Sequence, residues 1–360
     1  MIRLFRASDF RCLENIEMDL APGFNLIYGA NASGKTSLLE ALAYLGRGKS
    51  FRGAGTSDLI RHGKDEFVLF GQVRMESRTR SLGAKNSRSG LEVRVDGDSE
   101  GGAAALAEAM PLQVIDPEVH SLVAGGPELR RRFLDWIGFH VEHEHLLAWR
   151  RFRRALKQRN AALKAKAGAA TIRSWNAEFV ELGLQLDASR RRALEVTLDG
   201  LSGFGEKLLT TDLHFDYQQG WSRDKELAQA LDDGLQRDLL MGATQQGPHR
   251  ADLKISYDER QARKLVSRGQ QKLLASAMIL AATETAQTAL ERPLLLLLDD
   301  PAAELDEDSL SRLMGAVAGL GCQVIATSLA PDSITAPADA ALFHVEHGIV
   351  TAVQGPQDRP

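Results

Sequence analysis

Residues 29 to 36 read Gly-Ala-Asn-Ala-Ser-Gly-Lys-Thr, which fits GxxxxGK[ST] in full. Each residue type there has a use in holding a phosphate. Gly29 and Gly34 let the backbone turn so that the amides of the loop, through Ala30, Asn31, Ala32 and Ser33, aim at anionic oxygens. Lys35 is placed to reach the β- and γ-phosphates and Thr36 to put a hydroxyl on Mg2+. Residue 32 is alanine, small enough to let a phosphate approach. A second stretch, "LLLLLDDPAAELD" from Leu294 to Asp306, supplies carboxylates. Asp299 is assigned to Mg2+ through water, and Asp300 to polarising the attacking water. A third, "LVSRGQQKLL" from Leu265 to Leu274, opens a helix with a serine. Ser267 at that N-terminus, beside unbonded amides, makes a second anion site.

These groups need a particular frame. A phosphate loop requires a strand before it and a helix after it. "FNLIYG" and "KTSLLEALAYL" satisfy that, with Leu38, Leu39, Leu42 and Leu45 on one helical stripe. The five leucines before Asp299 read as a central parallel strand buried on both faces, with the aspartate at its C-terminal end where α/β folds hold ligands. Strands are expected at "IRLFRASDF", "LENIEMDL", "EFVLFGQVRME", "GLEVRVDGD", "DLHFDYQQG", "ADLKISYD" and "CQVIATS". "SRTRSLGAKNSRSG" reads as a turn or mobile loop, "ALFHVEHGIVTAVQG" as a hairpin and "PQDRP" as a loose end. From Glu128 to about Leu201 the pattern is helical, and further helices are expected from Gly269 to Leu290 and from Ser309. The fold class is α/β: residues 1–115 and 242–360 form a sheet-containing lobe, and 116–241 form an inserted, mostly helical lobe.

The chain has 360 residues with a net charge of −4, which argues against a uniformly basic DNA-coating protein but permits a local basic patch. Two cysteines, Cys12 and Cys322, do not make a disulfide framework and suit a reducing cytosol. The opening "MIRLFRASDF" lacks the apolar region of a signal peptide, and "PLLLLLDD" is too short to span a bilayer. The expectation is a soluble cytoplasmic protein, with no membrane partner.

The motifs also resemble a known family. Ser267, Arg268, Gly269 and Gln270 are similar to the signature motif of ABC-type ATPases, and the chain as a whole resembles the RecF family, whose heads are related to those of Rad50 and SMC proteins. The stretches that carry the likeness are "DFRCLENIEMDL", the phosphate loop with "TSLLEAL", "GRGKSFR", "GGPELRRRFLD", "LKQRNAAL", "GPHRADL", "SRGQQKLL" and "LLLDDPAAELD", in family order. The resemblance implies an ABC-type ATPase head that binds ATP and Mg2+. It implies a homodimer in which the signature binds the γ-phosphate held by the other subunit. The implied task is binding gapped or single-stranded–double-stranded DNA, working with RecR and RecO to load RecA. By position it implies that Gln113 links the lobes and senses Mg2+, and that Ala303 to Asp306 form a dimer-crossing loop. It also implies that Thr327 stands where many ABC ATPases have histidine. Asp300 replaces the common glutamate, and with its shorter reach slow hydrolysis is expected.

Between Glu128 and Ala167 there are eleven Lys and Arg against four Asp and Glu. In "WRRFRRALKQR", Trp149, Phe152 and Leu156 share one face. Arg150, Arg151, Arg154 and Lys157 on the other are candidates for phosphate contact. "GRGKSFR" and "SRTRSLGAKNSR" compete for that role. His140, His143 and His145 in "HVEHEH" lack the partners of a zinc site and read as a solvated linker. A transporter ATPase subunit is disfavoured by the long basic helical insert, and a long-armed SMC-type ATPase by the absence of heptads.

Overall fold

The computed structural model describes residues 1–75, 78–99, 101–209, 211, 213–257, 260–261 (backbone) and 267–353. Leu265 and Val266 of the serine-bearing stretch, and the end Pro356–Pro360, lie outside them. The chain divides into two compact units, residues 1–119 with 291–360, and residues 120–290. The expected division placed 242–290 with the first lobe; contacts group that segment, and with it Ser267, in the second unit.

The first unit holds two sheets. One is antiparallel, in the order β2 (Leu13–Asp19), β1 (Ile2–Phe10), β4 (Glu66–Arg74), β5 (Thr79–Ser87), β6 (Gly90–Val95). The other runs β14 (Ile349–Val353), β13 (Ala341–Glu346), β3 (Phe24–Tyr28), β12 (Gln323–Ser328), β11 (Leu295–Leu298), β7 (Leu112–Ile115). Its neighbours pair in parallel except at the terminal β13–β14 hairpin.

β5 corrects the loop expected there. Its alternation rests on only Leu82, Ala84 and Asn86, the three residues it buries, and the polar Asn86 hides the period. Asn86 Nδ2 donates to Tyr44 Oη at 2.5 Å, which makes its burial tolerable. The Lys35–Arg47 helix is also more enclosed than a single stripe predicts. Residues from Leu38 through Gly46 are all buried, because core side chains of both sheets pack around them. The leucine strand β11 is fully buried, as expected, but lies beside the edge strand β7 rather than at the centre.

The second unit is mostly helical, with long helices Pro127–Val141, His145–Lys164, Asn176–Glu195 and Arg268–Leu290. It adds a small antiparallel sheet in the order β10 (Arg260–Gln261), β9 (Asp252–Tyr257), β8 (Leu213–Gln218). The Arg268–Leu290 helix is long and apolar enough to cross a membrane, but 67% of its most apolar window is buried inside the protein.

Candidate functional site

β3 delivers the chain to the phosphate loop. Gly29 N donates to Ser328 O at 3.3 Å, tying the loop to β12. Gly348, at the tip of the terminal hairpin, donates from N to Ser33 O at 2.8 Å. Gly34 sits at φ +117, and a Cβ there would stand 3.2 Å from Cys12 Sγ. Ala32 is also left-handed, at φ 62, a conformation that costs a non-glycine residue roughly 1 kcal/mol. Lys35 Nζ donates to Gly29 O at 2.7 Å and to Ala30 O at 2.8 Å. Burial lowers its pKa, against the pull of Asp300 and Asp299.

Asp299 follows β11 directly and meets the loop. Thr36 Oγ1 donates to Asp299 Oδ1 at 3.0 Å, and Thr327 Oγ1 donates to the same oxygen at 2.9 Å. Thr327 Oγ1 in turn accepts from Asp300 N at 2.9 Å. Burial raises the pKa of Asp299, while the two hydroxyls and Arg52 oppose the rise. The parallel register sets this up: β12 places Ala326 against Leu298 and Thr327 against Ile27 of β3, so the threonine stands between the loop and the aspartate. Asp300 has φ 46, a reversal that turns the chain sharply after Asp299.

The oxygens of Thr36 and Asp299 fit Mg2+. Both are hard donors: the hydroxyl suits a direct ligand, and the carboxylate, 3.0 Å from it, is placed to accept from a metal-bound water.

Gln113 is buried in β7, and its Oε1 accepts from Arg47 Nη2 at 3.2 Å. Arg47 also donates to Leu112 O at 3.2 Å, and burial pushes it down to about 10. Asp116, just past β7, is pushed up to about 6 by burial and then by the charge of Asp299, with Arg47 opposing. Asp116 did not stand out in the sequence, and Arg47, counted there within the basic GRGKSFR segment, is turned inward instead. The signal for both was position: each is an ionisable residue at the end of a buried apolar element. Glu40, fully buried on the loop's helix, is satisfied by Arg11, whose Nη2 donates at 3.0 Å, and by Ser50.

In the second unit, Ser267, Arg268 and Gln270 are exposed at the start of their helix and Gly269 is partly covered. Ser267 N donates to Gln270 Oε1 at 2.9 Å, and Gln270 N donates to Ser267 Oγ at 3.3 Å. This is a reciprocal capping box, so the serine hydroxyl already satisfies one amide of its own helix. Arg150, Arg154 and Lys157 are exposed on the His145–Lys164 helix, opposite the buried Phe152 and Ala155, and Arg151 is exposed at the flank of that buried face, one turn before Ala155. Not all of the local positive charge is available, however. Arg159 is fully buried, with Nη1 2.7 Å from Asp238 Oδ2, and Arg130 is held by Asp252 at 2.7 Å.

The histidines correct the linker reading. His140 is buried against Trp136, and His145 Nδ1 lies 2.7 Å from Ser189 Oγ; His143 is exposed. No metal-binding group of three or more such residues occurs among the described residues. His249, upstream of Ser267, is half of a packed pair of contacts: its Nε2 lies 2.8 Å from Thr244 O and its ring lies against Phe152 and Phe179. Burial pushes it down to about 4. Arg250 Nη2 donates to Gln245 Oε1 at 3.0 Å.

A phosphate loop between β3 and its helix, an aspartate at the end of the second strand over, and a serine-capped helix in a separate unit define an ABC-type ATPase head. Residues 1–351 match the family model RecF/RecN/SMC N terminal domain. The chain is 40% identical over 345 residues to the DNA replication and repair protein RecF of Edwardsiella ictaluri, covering 94% of this chain and 96% of that one. It is 39% identical over 356 residues to that of Photorhabdus laumondii, covering 97% and 98%. A solved structure of the recombination mediator protein RecF-ATPrS in the RecFOR pathway superposes with a TM-score of 0.88 at 25% identity, covering 98% of each chain. A Pyrococcus furiosus Smc head domain shares the fold, with a TM-score of 0.59 at 15% identity over 98% and 95% of the two chains. The chain belongs to the RecF family, an ATP-binding family of ABC-type ATPases.

Proposed function

We propose that the protein is an ATP-dependent DNA-binding factor of recombinational repair and replication-fork maintenance in the cytoplasm. Its ATP-bound dimer engages gapped DNA and assists RecA loading with RecR and RecO. The observation that carries the nucleotide half of this reading is the Thr36–Asp299 contact at 3.0 Å, made by the residue that follows Lys35. In it, Gly29 to Thr36 cradle the phosphates and Lys35 exchanges the carbonyls of Gly29 and Ala30 for phosphate oxygens. Thr36 would hold Mg2+ directly and Asp299 through water, and Gln113 would sense the metal, as the family resemblance implies. The metal, when bound, draws charge from the phosphate oxygens. Asp300 orients the attacking water, and a short carboxylate in that role makes hydrolysis slow, a timer for release.

Ser267, Arg268, Gly269 and Gln270 form the second anion site, offered to the nucleotide of another copy. Their exposure supports that use, as does the helix N-terminus they occupy. Arg150, Arg151, Arg154 and Lys157 meet DNA phosphates, and contact with DNA stimulates the ATPase. Light scattering with and without ATP–Mg2+ tests the dimer: the mass doubles with nucleotide, and an unchanged monomer mass refutes it. Lys35→Ala loses nucleotide binding, whereas Ser267→Arg keeps binding and loses dimerisation; equal loss of binding in both refutes the shared site.

A further inference from the structure

The second unit exposes two large apolar residues side by side. Leu240 is 87% exposed and Met241 65%, at the end of the short Leu235–Met241 helix. The helix is anchored rather than loose: Leu235 sits in a small core with Leu163 and Ile172, and the buried Asp238 holds Arg159. Thr244 N donates to Asn160 Oδ1 at 2.8 Å on the other side of the pair. A rigid mount that presents two bare apolar side chains asks for an occupant.

The surroundings say which. Arg150, Arg154, Lys157, Ala161 and Lys164 recur at i, i+4, i+7, i+11 and i+14, so they make one exposed face of the His145–Lys164 helix. That track is about 20 Å long, the rise of some six base pairs. It ends at the apolar pair: a Cβ on Gly242 would stand 3.9 Å from Lys164 Cγ. Lys166 and Arg237 are also exposed there, and Arg237 lies one helical turn before Met241. Lys164, Lys166 and Arg237 have no ion pair among the described residues, whereas the nearby acids Asp232, Asp233 and Asp238 are paired with Arg173, Lys225 and Arg159.

A cationic track fits a polyanionic backbone. An apolar step at its end fits a polyanion that stops being double-stranded there, because a duplex shows an apolar base face without unstacking only at its last pair. We infer that Leu240 and Met241 form a wedge that stacks on the terminal base pair of a duplex, at a gap or a single-stranded–double-stranded junction, while the track holds the flanking phosphates. This rests on the DNA-binding reading above and supplies a physical source for junction preference.

The test uses the full-length protein with ATP–Mg2+, a gapped duplex carrying 2-aminopurine in its terminal pair, and the intact duplex of the same length. Wild type binds the gapped DNA about tenfold tighter and changes the 2-aminopurine emission. The double variant Leu240→Ser, Met241→Ser keeps intact-duplex affinity within twofold but loses both the preference and the emission change. Arg150→Ala with Arg154→Ala weakens binding to both duplexes alike and lowers the salt slope. If wild type binds no DNA, the DNA reading falls and the wedge with it. If wild type prefers the gap and the serine variant does so equally, or the variant loses only association with another protein, the wedge alone is overturned.

Discussion

At the scale of single residues, the site turns on hydroxyls that hold a buried carboxylate. Thr327 donates to Asp299 and accepts from Asp300 N, so it both steadies the buried carboxylate and fixes the turn after it. Its hydrogen bond opposes the burial that raises the pKa of Asp299. Thr327→Val therefore raises that pKa further, and because only the carboxylate binds Mg2+, the pH midpoint of Mg2+-dependent ATP binding moves upward. Isothermal titration across pH checks the direction; an unchanged midpoint removes Thr327 from this role. Ala32 offers a second test. Its left-handed φ of 62 suits glycine better, and relief of that strain of about 1 kcal/mol offsets roughly 0.4–1 kcal/mol of added unfolded-chain entropy, so Ala32→Gly retains ATP binding and leaves the urea midpoint unchanged or slightly raised, whereas a clear fall in the midpoint removes the strain. His249 gives the fold a defined acid limb. The folded protein holds it near 4 while the unfolded chain protonates it near 6.5, so its contribution is complete above pH 6.5. It fades as pH falls towards 4, by about 1–3 kcal/mol. Urea midpoints at pH 7.5 and 4.5 differ less in His249→Leu than in wild type.

At the scale of elements, the same chemistry depends on close packing between pieces distant in sequence. A Cβ on Gly46 would stand 2.4 Å from Leu112 Cδ2, so the loop's helix lies directly on β7, the strand that carries Gln113. Gly46→Ala forces them apart and costs about 1–3 kcal/mol, with a matching loss of ATP affinity by fluorescence titration. In the second unit, Arg159 and Asp238 are both fully buried. Arg159→Met alone strands the Asp238 charge and costs about 3–5 kcal/mol, and adding Asp238→Leu restores most of it. Such elements differ in how far the sequence announces them. The phosphate loop and the strand ending at Asp299 were legible because their residue types answer to local chemistry. β5 was not, since Asn86 takes an inward position that Tyr44 and Thr56, 42 and 30 residues away, make acceptable. Arg159 looked like one more surface cation because the residues that bury it lie about 80 positions downstream. Asp116 and Arg47 escaped for the same reason: their shifts come from burial that no short window encodes.

At the scale of the whole molecule, the nucleotide and signature motifs sit in different compact units, and the proposed dimer joins them across copies. Mixing Lys35→Ala with Ser267→Arg tests this directly. Each variant alone fails to dimerise with ATP, while the mixture forms heterodimers holding one intact composite site and recovers part of the DNA binding. Absence of any recovery by gel shift removes the shared site. The order of the parallel sheet has one more outcome. Asn25 of β3 bonds Val324 of β12 across 299 residues of chain. A ribosome needs on the order of tens of seconds to travel that far. Throughout that interval β3, all five of whose residues are buried in the finished sheet, has neither flanking strand, and for most of it Lys35 has no Asp299 to work with. Closure of the nucleotide loop against β12 is therefore a late event in synthesis, since Gly29 N has no Ser328 O to bond until the chain has reached residue 328.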